Sequence, residues 1–466
     1  MDKNTIIGFV LIAALLIGFS WYTQPSEEDI AKQHMQDSIT ALAKKKAEES
    51  RNAEAQASNQ NAQNNVNADT TAVFYKSLSG KAQNIILKNS KLELTLSTKG
   101  GTVEKAVIKD FKDNKGNKDL TLFDSKDQSL KFMLEGKETN IITSDLYFTP
   151  SNITDSTVTM TAVGSNGRSL VMNYKLGKNY LLHFSLKANG MSGLFSPNYN
   201  KLDIEWTDHC RQQEKGFTFE NRYASLTYHF TDGGTDYISE TSEKVDEKIE
   251  DAIDWVAFKN QFFSAVMIAK DDLGTNSLMT SIPQEKGSGY LKQYGAKVKT
   301  SFDPTGNNST ELEFYYGPND FRLLQKIEKE STFNKDLELH RLVYLGWPLF
   351  RIINRWFTLY VFDWLTGLNI NMGIVLILIT LLLKVITYPL VKKSYMSSAK
   401  MRVLKPKLEE ATKQYNKPED QMQKQQAMMA LYAKYGVSPL SGCLPMLIQM
   451  PIWIAMFNFV PNAIQL

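Results

Sequence analysis

Residues Met372–Val391 read MGIVLILITLLLKVITYPLV. This run allows very few folds. Twenty apolar residues span the ~30 Å hydrocarbon thickness of a bilayer when helical. In lipid no water satisfies exposed backbone groups, so a single spanning segment has to be a helix. One residue opposes the pattern. Lys384 lies within the run, at a cost of about 2.5–3.5 kcal/mol on insertion scales. It stands ~10 Å from the Val391 end at 1.5 Å per residue. Thr380 precedes it by four residues, Thr387 follows by three and Tyr388 by four. One helix face is therefore polar through half of the span. Two readings stay open: the lysine snorkels alone to the headgroups, or the stripe lines a water-filled cavity. Pro389 is expected to bend the helix nearby.

Two further apolar runs flank this one. Thr5–Tyr22 ends in Ser20-Trp21-Tyr22 without a small-x-small cleavage site, which predicts an uncleaved transmembrane anchor over 1–22. Residues 23–70 are a polar linker with too little apolar surface to offset ordering entropy. A last span is expected over 440–461, carrying Pro445 and Pro451. Gln449 lies at membrane depth within it, as a helix–helix hydrogen-bonding group or as part of the same cavity. Between the two later spans, residues 392–434 hold ten Lys or Arg and four Asp or Glu. Asn416-Lys417-Pro418 divides this stretch, predicting an antiparallel helical hairpin over 392–435. Leu404, Leu408, Ala411 and Tyr415 form one apolar face, and Met422, Met429 and Tyr432 the other. The positive charge places the hairpin in the cytoplasm. Counting spans backwards then puts everything between the first and second spans outside. The abundant methionines fit either ordinary packing or a surface that accepts varied apolar partners.

Residues 71–340 have a different character. KLELTLST, LTLF, STVTMTAV and KLDIEWT alternate with period two, and Gly100-Gly101, Asn166-Gly167 and Asp232-Gly233-Gly234 punctuate them. That pattern predicts a large all-β sandwich, closed by a short helix at DFRLLQKIEKE. Within the sandwich, Glu205, Asp208 and His209 invite an acid–base reading. Strand alternation alone explains Glu205 and Thr207 facing one way, and no second histidine cluster supports catalysis. After the sandwich, 347–365 is an apolar helix with one polar stripe of Arg351, Asn354, Arg355 and Thr358. Trp347, Trp356 and Trp364 surround the stripe. This suits a helix lying in the membrane interface.

The formal net charge of +3 gives the whole chain no electrostatic footprint for nucleic acid. Cys210 and Cys443 sit in unrelated contexts. No CxxC, HExxH or P-loop pattern is present, so zinc, redox and nucleotide chemistry lack sequence support.

KVITYPLVKKSYMSSAKMRVLKPKLEE and MMALYAKYGVSPLSGCLPMLIQMPIWIAMF resemble the YidC/Oxa/Alb insertase family. The likeness also takes in Tyr316-Gly317-Pro318 and Trp347 through Trp364, and more weakly DWVAFKNQFFSAVMI. It implies an α-helical membrane protein of the bacterial inner membrane, multi-pass, with a periplasmic supersandwich-like β domain. It implies a hydrophilic groove in which Lys384, Thr380, Thr387, Tyr388 and Gln449 receive the polar part of a nascent membrane protein. The family usually has arginine at the position of Lys384, so the charge is kept and the guanidinium fork is lost. The hairpin residues Lys400, Arg402, Lys405 and Lys407 are the implied dock for ribosome, targeting factors or lipid headgroups, with the Sec translocon as a further partner. No cofactor, metal, enzymatic step or nucleic-acid sequence recognition is implied. The resemblance also implies five core helices, of which two fall within this sequence, so further helices are expected after Leu466. The alternatives are a polytopic transporter or channel subunit, for which no internal repeat is found, and an anchored carbohydrate-binding or carbohydrate-acting β domain.

Overall fold

A computed structural model describes residues 73–463, apart from 115, 117, 239–243, 414, 416–419 and 437–443. The expected anchor, the linker, the Pro418 break and the first residues of the last span lie outside the described residues.

The alternating segments form strands, and every recorded strand pairing is antiparallel. Nine strands make the largest sheet. Its centre is Ile253–Lys259, Phe263–Ala269, Thr310–Pro318 and Leu181–Asn189, side by side. A six-stranded sheet is built around Lys201–Arg211 and Tyr290–Ser301, and a four-stranded one runs from Asn84–Lys88 to Asp119–Phe123. Rings close the layers. Trp206 of the six-stranded sheet stacks on Phe258 of the nine-stranded one at 4.0 Å, and Phe132 stacks on Phe184 at 5.2 Å. Phe123 of the four-stranded sheet meets Tyr316 at 5.4 Å. Both smaller sheets thus cover the larger.

Alternation decides which side chains enter this core. In Lys201–Arg211 the residues Leu202, Ile204, Trp206, Asp208 and Cys210 are buried, while their neighbours turn outward. The candidate acid–base trio is therefore split: Glu205 pairs with Lys297 at 3.6 Å on the outer face, and Asp208 points inward. Asp208 Oδ1 has no hydrogen-bond partner among the described residues. Burial, with the nearby Asp127 charge, pushes its carboxyl well above the usual range. Tight turns use residues that tolerate positive φ. Gly101 has φ +68°, and a Cβ there would meet Met172 Sδ at 2.7 Å and Phe148 Cδ2 at 3.2 Å, so this corner favours glycine.

Helix α1, Phe217–Tyr223, and helix α2, Phe321–Glu330, belong to the β domain. Asp320 caps α2 by accepting from the Leu323 N–H at 2.7 Å. The chain then runs back along the sandwich. Trp255 Nε1 donates to the Leu337 carbonyl at 2.7 Å, and Leu337, Leu339, Leu342 and Leu345 are buried. Helix α3 follows as three consecutive pieces, Pro348–Ile353, a π-helical turn Asn354–Thr358, and Leu359–Thr366. Helix α4, Met372–Thr412, is continuous through Pro389 and Pro406. No break separates the apolar segment from the first arm of the hairpin at 391. Helix α5, Gln421–Lys434, is the second arm, and helix α6, Leu444–Phe459, is followed by a 3-10 turn, Val460–Asn462. Among the described residues one helix segment, Met372–Pro389, is long and apolar enough to cross a membrane. Helix α6 has 16 residues.

The hairpin closes on the expected face of α4, through Leu404 and Leu408, and keeps Tyr432 on α5, but α5 is rotated away from the expected methionines. Leu404 and Leu408 are buried against Met401, Met428, Leu431 and Tyr432, whereas Met422 and Met429 are exposed. The helical phase of α5 is set by Met428 and Leu431, a pair spaced by three that lies beside the residue the sequence pattern favoured.

Glu220 in α1 is buried and accepts from the Gln213 N–H at 3.0 Å and the Glu214 N–H at 2.9 Å. Burial outweighs these bonds and raises its carboxyl to about 7. A raised folded pKa means that the protonated form is favoured by the fold. The contribution is complete below the unfolded value near 4.5 and is lost as pH rises through about 7. Thermal unfolding followed between pH 5 and 8 should show this loss, and Glu220→Gln should flatten the profile over that interval. An unchanged profile would exclude Glu220 as its source.

Candidate functional site

The candidate residues lie where α3, α4 and α6 meet. Val375, Ile379, Leu383 and Thr387 recur every four residues on α4 and are buried. This stripe packs α4 inward. Lys384 is one position past Leu383 and stands on the exposed side with Tyr388. The two threonines differ from the lysine in how they are satisfied. Thr380 donates to the Leu376 carbonyl at 2.8 Å. Thr387 donates to the Leu383 carbonyl at 2.8 Å. Both hydroxyl protons are thus spent on the helix's own backbone, a common arrangement for threonine in apolar helices. The Lys384 ammonium has no hydrogen bond or ion pair among the described residues. Lys384 is thereby the strongest uncommitted polar group of the set. Gln449 is half-buried on α6, and among the described residues no hydrogen bond joins it to Lys384 or to either threonine.

The basic hairpin residues Lys400, Arg402, Lys405 and Lys407 are all exposed on α4. Lys407 reaches the Tyr435 hydroxyl at 3.1 Å and lies over its ring, 5.0 Å from the centroid.

Helix α3 holds the functional features that the sequence pattern misplaced. Asn354 and Thr358 are buried, at 0% and 1% exposure, rather than part of a wet stripe. Asn354 Nδ2 donates to the Leu345 carbonyl at 3.0 Å and across to the Ala455 carbonyl of α6 at 2.8 Å. The residues facing away from the protein are Leu349, Ile352, Trp356, Tyr360 and Trp364. The outer face of α3 is therefore apolar, as lipid demands. Asp363, the one polar residue outside the stripe, forms a forked ion pair with Arg322 of α2, at 2.8 Å to Nε and 2.7 Å to Nη2. Gln261 Nε2 donates to the Pro461 carbonyl at 2.6 Å. Phe362 meets Phe459 edge-on at 5.2 Å. The Asp363 and Gln261 contacts join the β domain to the helices, and the Phe362–Phe459 contact packs α3 on α6. No local periodicity signals them, because each partner lies far away in sequence.

Residues 84–360 match the model of the YidC periplasmic domain, and residues 364–466 match that of the 60Kd inner membrane protein. Along its whole length the chain is 52% identical to the membrane protein insertase YidC of Phocaeicola vulgatus, covering 74% of that protein. The chain belongs to the YidC family. The YidC proteins of Bacteroides fragilis and Parabacteroides distasonis are 45% and 38% identical, again over all of this chain and 75% of theirs. The sandwich is thus the YidC periplasmic domain, and α4 and α6 fall in the inner-membrane part. Among solved structures, a galactose mutarotase related enzyme from Lactobacillus acidophilus aligns with 50% of this chain and 97% of its own, at 10% identity and a TM-score of 0.32.

Asn354 generates a direct expectation. Asn354→Ala removes two hydrogen bonds at a dry helix junction and should cost about 1–3 kcal/mol. Thermal unfolding of the purified protein in detergent measures it, and a shift no larger than that of Arg355→Ala would show that the bridge to α6 contributes nothing.

Proposed function

We propose that the protein is an insertase of the bacterial inner membrane, which helps nascent membrane proteins enter the bilayer. The observation that carries this is Lys384: an ammonium without a partner among the described residues, on the exposed side of a helix apolar enough to span. An uncompensated charge at that depth draws water and thins the local hydrocarbon barrier. A hydrophilic stretch of substrate entering there meets water and a positive charge instead of lipid. Its acidic groups gain most. The adjoining apolar stretch of substrate then partitions sideways into lipid. The work is solvation and steering, and no covalent bond is made or broken. Thr380, Tyr388 and Gln449 border the same hydrated groove, with the buried Thr387 behind it. Because their hydroxyl protons are spent on the helix backbone, the threonines offer only acceptor oxygens, and Lys384 supplies the charge.

In this reading the β domain is periplasmic, α4 carries the chain inward, and the hairpin of α4 and α5 is cytoplasmic. Lys400, Arg402, Lys405 and Lys407 then form a dock for anionic lipid, ribosome or targeting factors, with the Sec translocon as a partner in the membrane. Family membership and the relatives' name support the insertase reading.

Lys384→Arg should sustain insertion of a reporter membrane protein in cells depleted of their own insertase. Lys384→Glu should lower it at least tenfold for substrates with acidic translocated segments, about 1.4 kcal/mol of lost attraction. Thr387→Val should have a smaller effect than Lys384→Glu. Full activity of Lys384→Glu on acidic substrates would sink the groove and leave a snorkelling lysine. Topology is tested separately: Ser398→Cys should resist a membrane-impermeant thiol reagent added to intact cells, and labelling from outside would invert the assignment.

A further inference from the structure

Helix α3 carries two cations that nothing described above explains. Arg351 and Arg355 are four residues apart and project from neighbouring turns of one face. Neither has a hydrogen bond or ion pair from its side chain among the described residues. The other charges nearby are already matched. Arg341 is held by Glu338 at 2.6 Å, and Asp363 by Arg322. Burial and the Arg341 charge push the Arg351 guanidinium downward in pKa, the Glu338 carboxylate opposes them in part, and Arg355 adds to the fall. Two positive charges thus stand close together, and among the described residues neither side chain is hydrogen-bonded or ion-paired to an anion.

Their surroundings fix where this happens. Trp347 and Trp356 flank the pair and are 72% and 68% exposed. Leu349, Ile352, Tyr360 and Trp364 extend the exposed apolar face along the same helix. Only residues 367–371 separate α3 from the start of α4, a tether of at most ~18 Å. The helix is therefore confined to the boundary of the spanning segment. Exposed indoles favour the headgroup level of a bilayer. A guanidinium at that level meets phosphate, whose oxygens match its fork.

We propose that Arg351 and Arg355 form a binding site for the phosphate of an anionic phospholipid, in the leaflet on the side of the β domain. The net charge selects the lipid class. A zwitterionic headgroup brings a phosphate and its own ammonium, leaving both arginine charges uncompensated. A phosphatidylglycerol headgroup brings a net negative charge. The apolar face beside the arginines accommodates the upper acyl chains. The site shares with the proposed function only its membrane location, and the test below reads no insertase activity, so either can fail alone.

The purified full chain in neutral detergent is titrated with phosphatidylglycerol or with phosphatidylethanolamine, and bound lipid is counted by native mass spectrometry. The wild type should bind phosphatidylglycerol more tightly. Each basic residue near a charged headgroup adds roughly fivefold, so Arg351→Gln/Arg355→Gln should lose about thirtyfold. Arg351→Lys/Arg355→Lys keeps the charge without the fork and should retain an intermediate preference. Inorganic phosphate at millimolar concentration should not displace the lipid. Equal binding of the two lipids by the wild type overturns the proposal whatever the variants do. So does displacement by inorganic phosphate, or a preference that survives in the glutamine variant. A preference abolished instead by Lys405→Gln/Lys407→Gln would place the site on the hairpin and also overturn it.

Discussion

The fold rests on a boundary between two solvents, crossed by a small number of polar contacts. The β domain obeys water's rule, with apolar side chains inside and charges out. Helices α3 and α4 obey the opposite rule on their outer faces. A junction between such parts cannot rely on apolar burial alone, since one partner is meant to be wet. The Arg322–Asp363 fork and the Gln261 bond to the Pro461 carbonyl do the joining, and the Asn354 bond to Ala455 ties α3 to α6 behind them. Each is directional, so each fixes an angle as well as a distance. An apolar contact such as Phe362 against Phe459 adds area without that constraint.

Much of the β domain was legible because strand alternation is local. Leu202, Ile204 and Trp206 face inward for the same reason that Asp203 and Glu205 face outward, and the same rule dissolved the acid–base trio. The helix at 321–330 was legible from its cap and its apolar spacing. The polar stripe on α3 was visible too, but its direction was not. Asn354 and Thr358 read as a wet face because sequence alone does not say whether water or protein lies beyond the helix. Only the arrival of Ala455, about a hundred residues later, decides it. The phase error on α5 has a smaller cause. Met428 and Met429 are adjacent, and a one-residue choice between them rotates the helix by about 100°.

The candidate site was half legible. A lysine in an apolar run announces itself, and Lys384 is where the charge is. The threonines beside it looked like equal members of a polar stripe. Their hydroxyl protons are bound to Leu376 and Leu383 carbonyls, a fate that residue type alone does not reveal. A polar residue in a membrane helix can serve its own backbone or something outside, and only the geometry distinguishes the two.

Helix α4 has one more consequence. Its 41 residues form a single rod, about 60 Å long at 1.5 Å per residue. Lys384 and Thr412 lie on the same shaft, 28 positions apart and so ~42 Å from each other. Swinging the far end by ten degrees about the lysine sweeps it sideways by about 7 Å on that length. The reverse also holds: a load applied to the hairpin reaches the depth of Lys384 as torque. Pro389 and Pro406 each remove one rung of backbone hydrogen bonding, so bending concentrates at those two points. One of them lies five residues from the lysine. The rod is stiff along most of its length and compliant beside its charge.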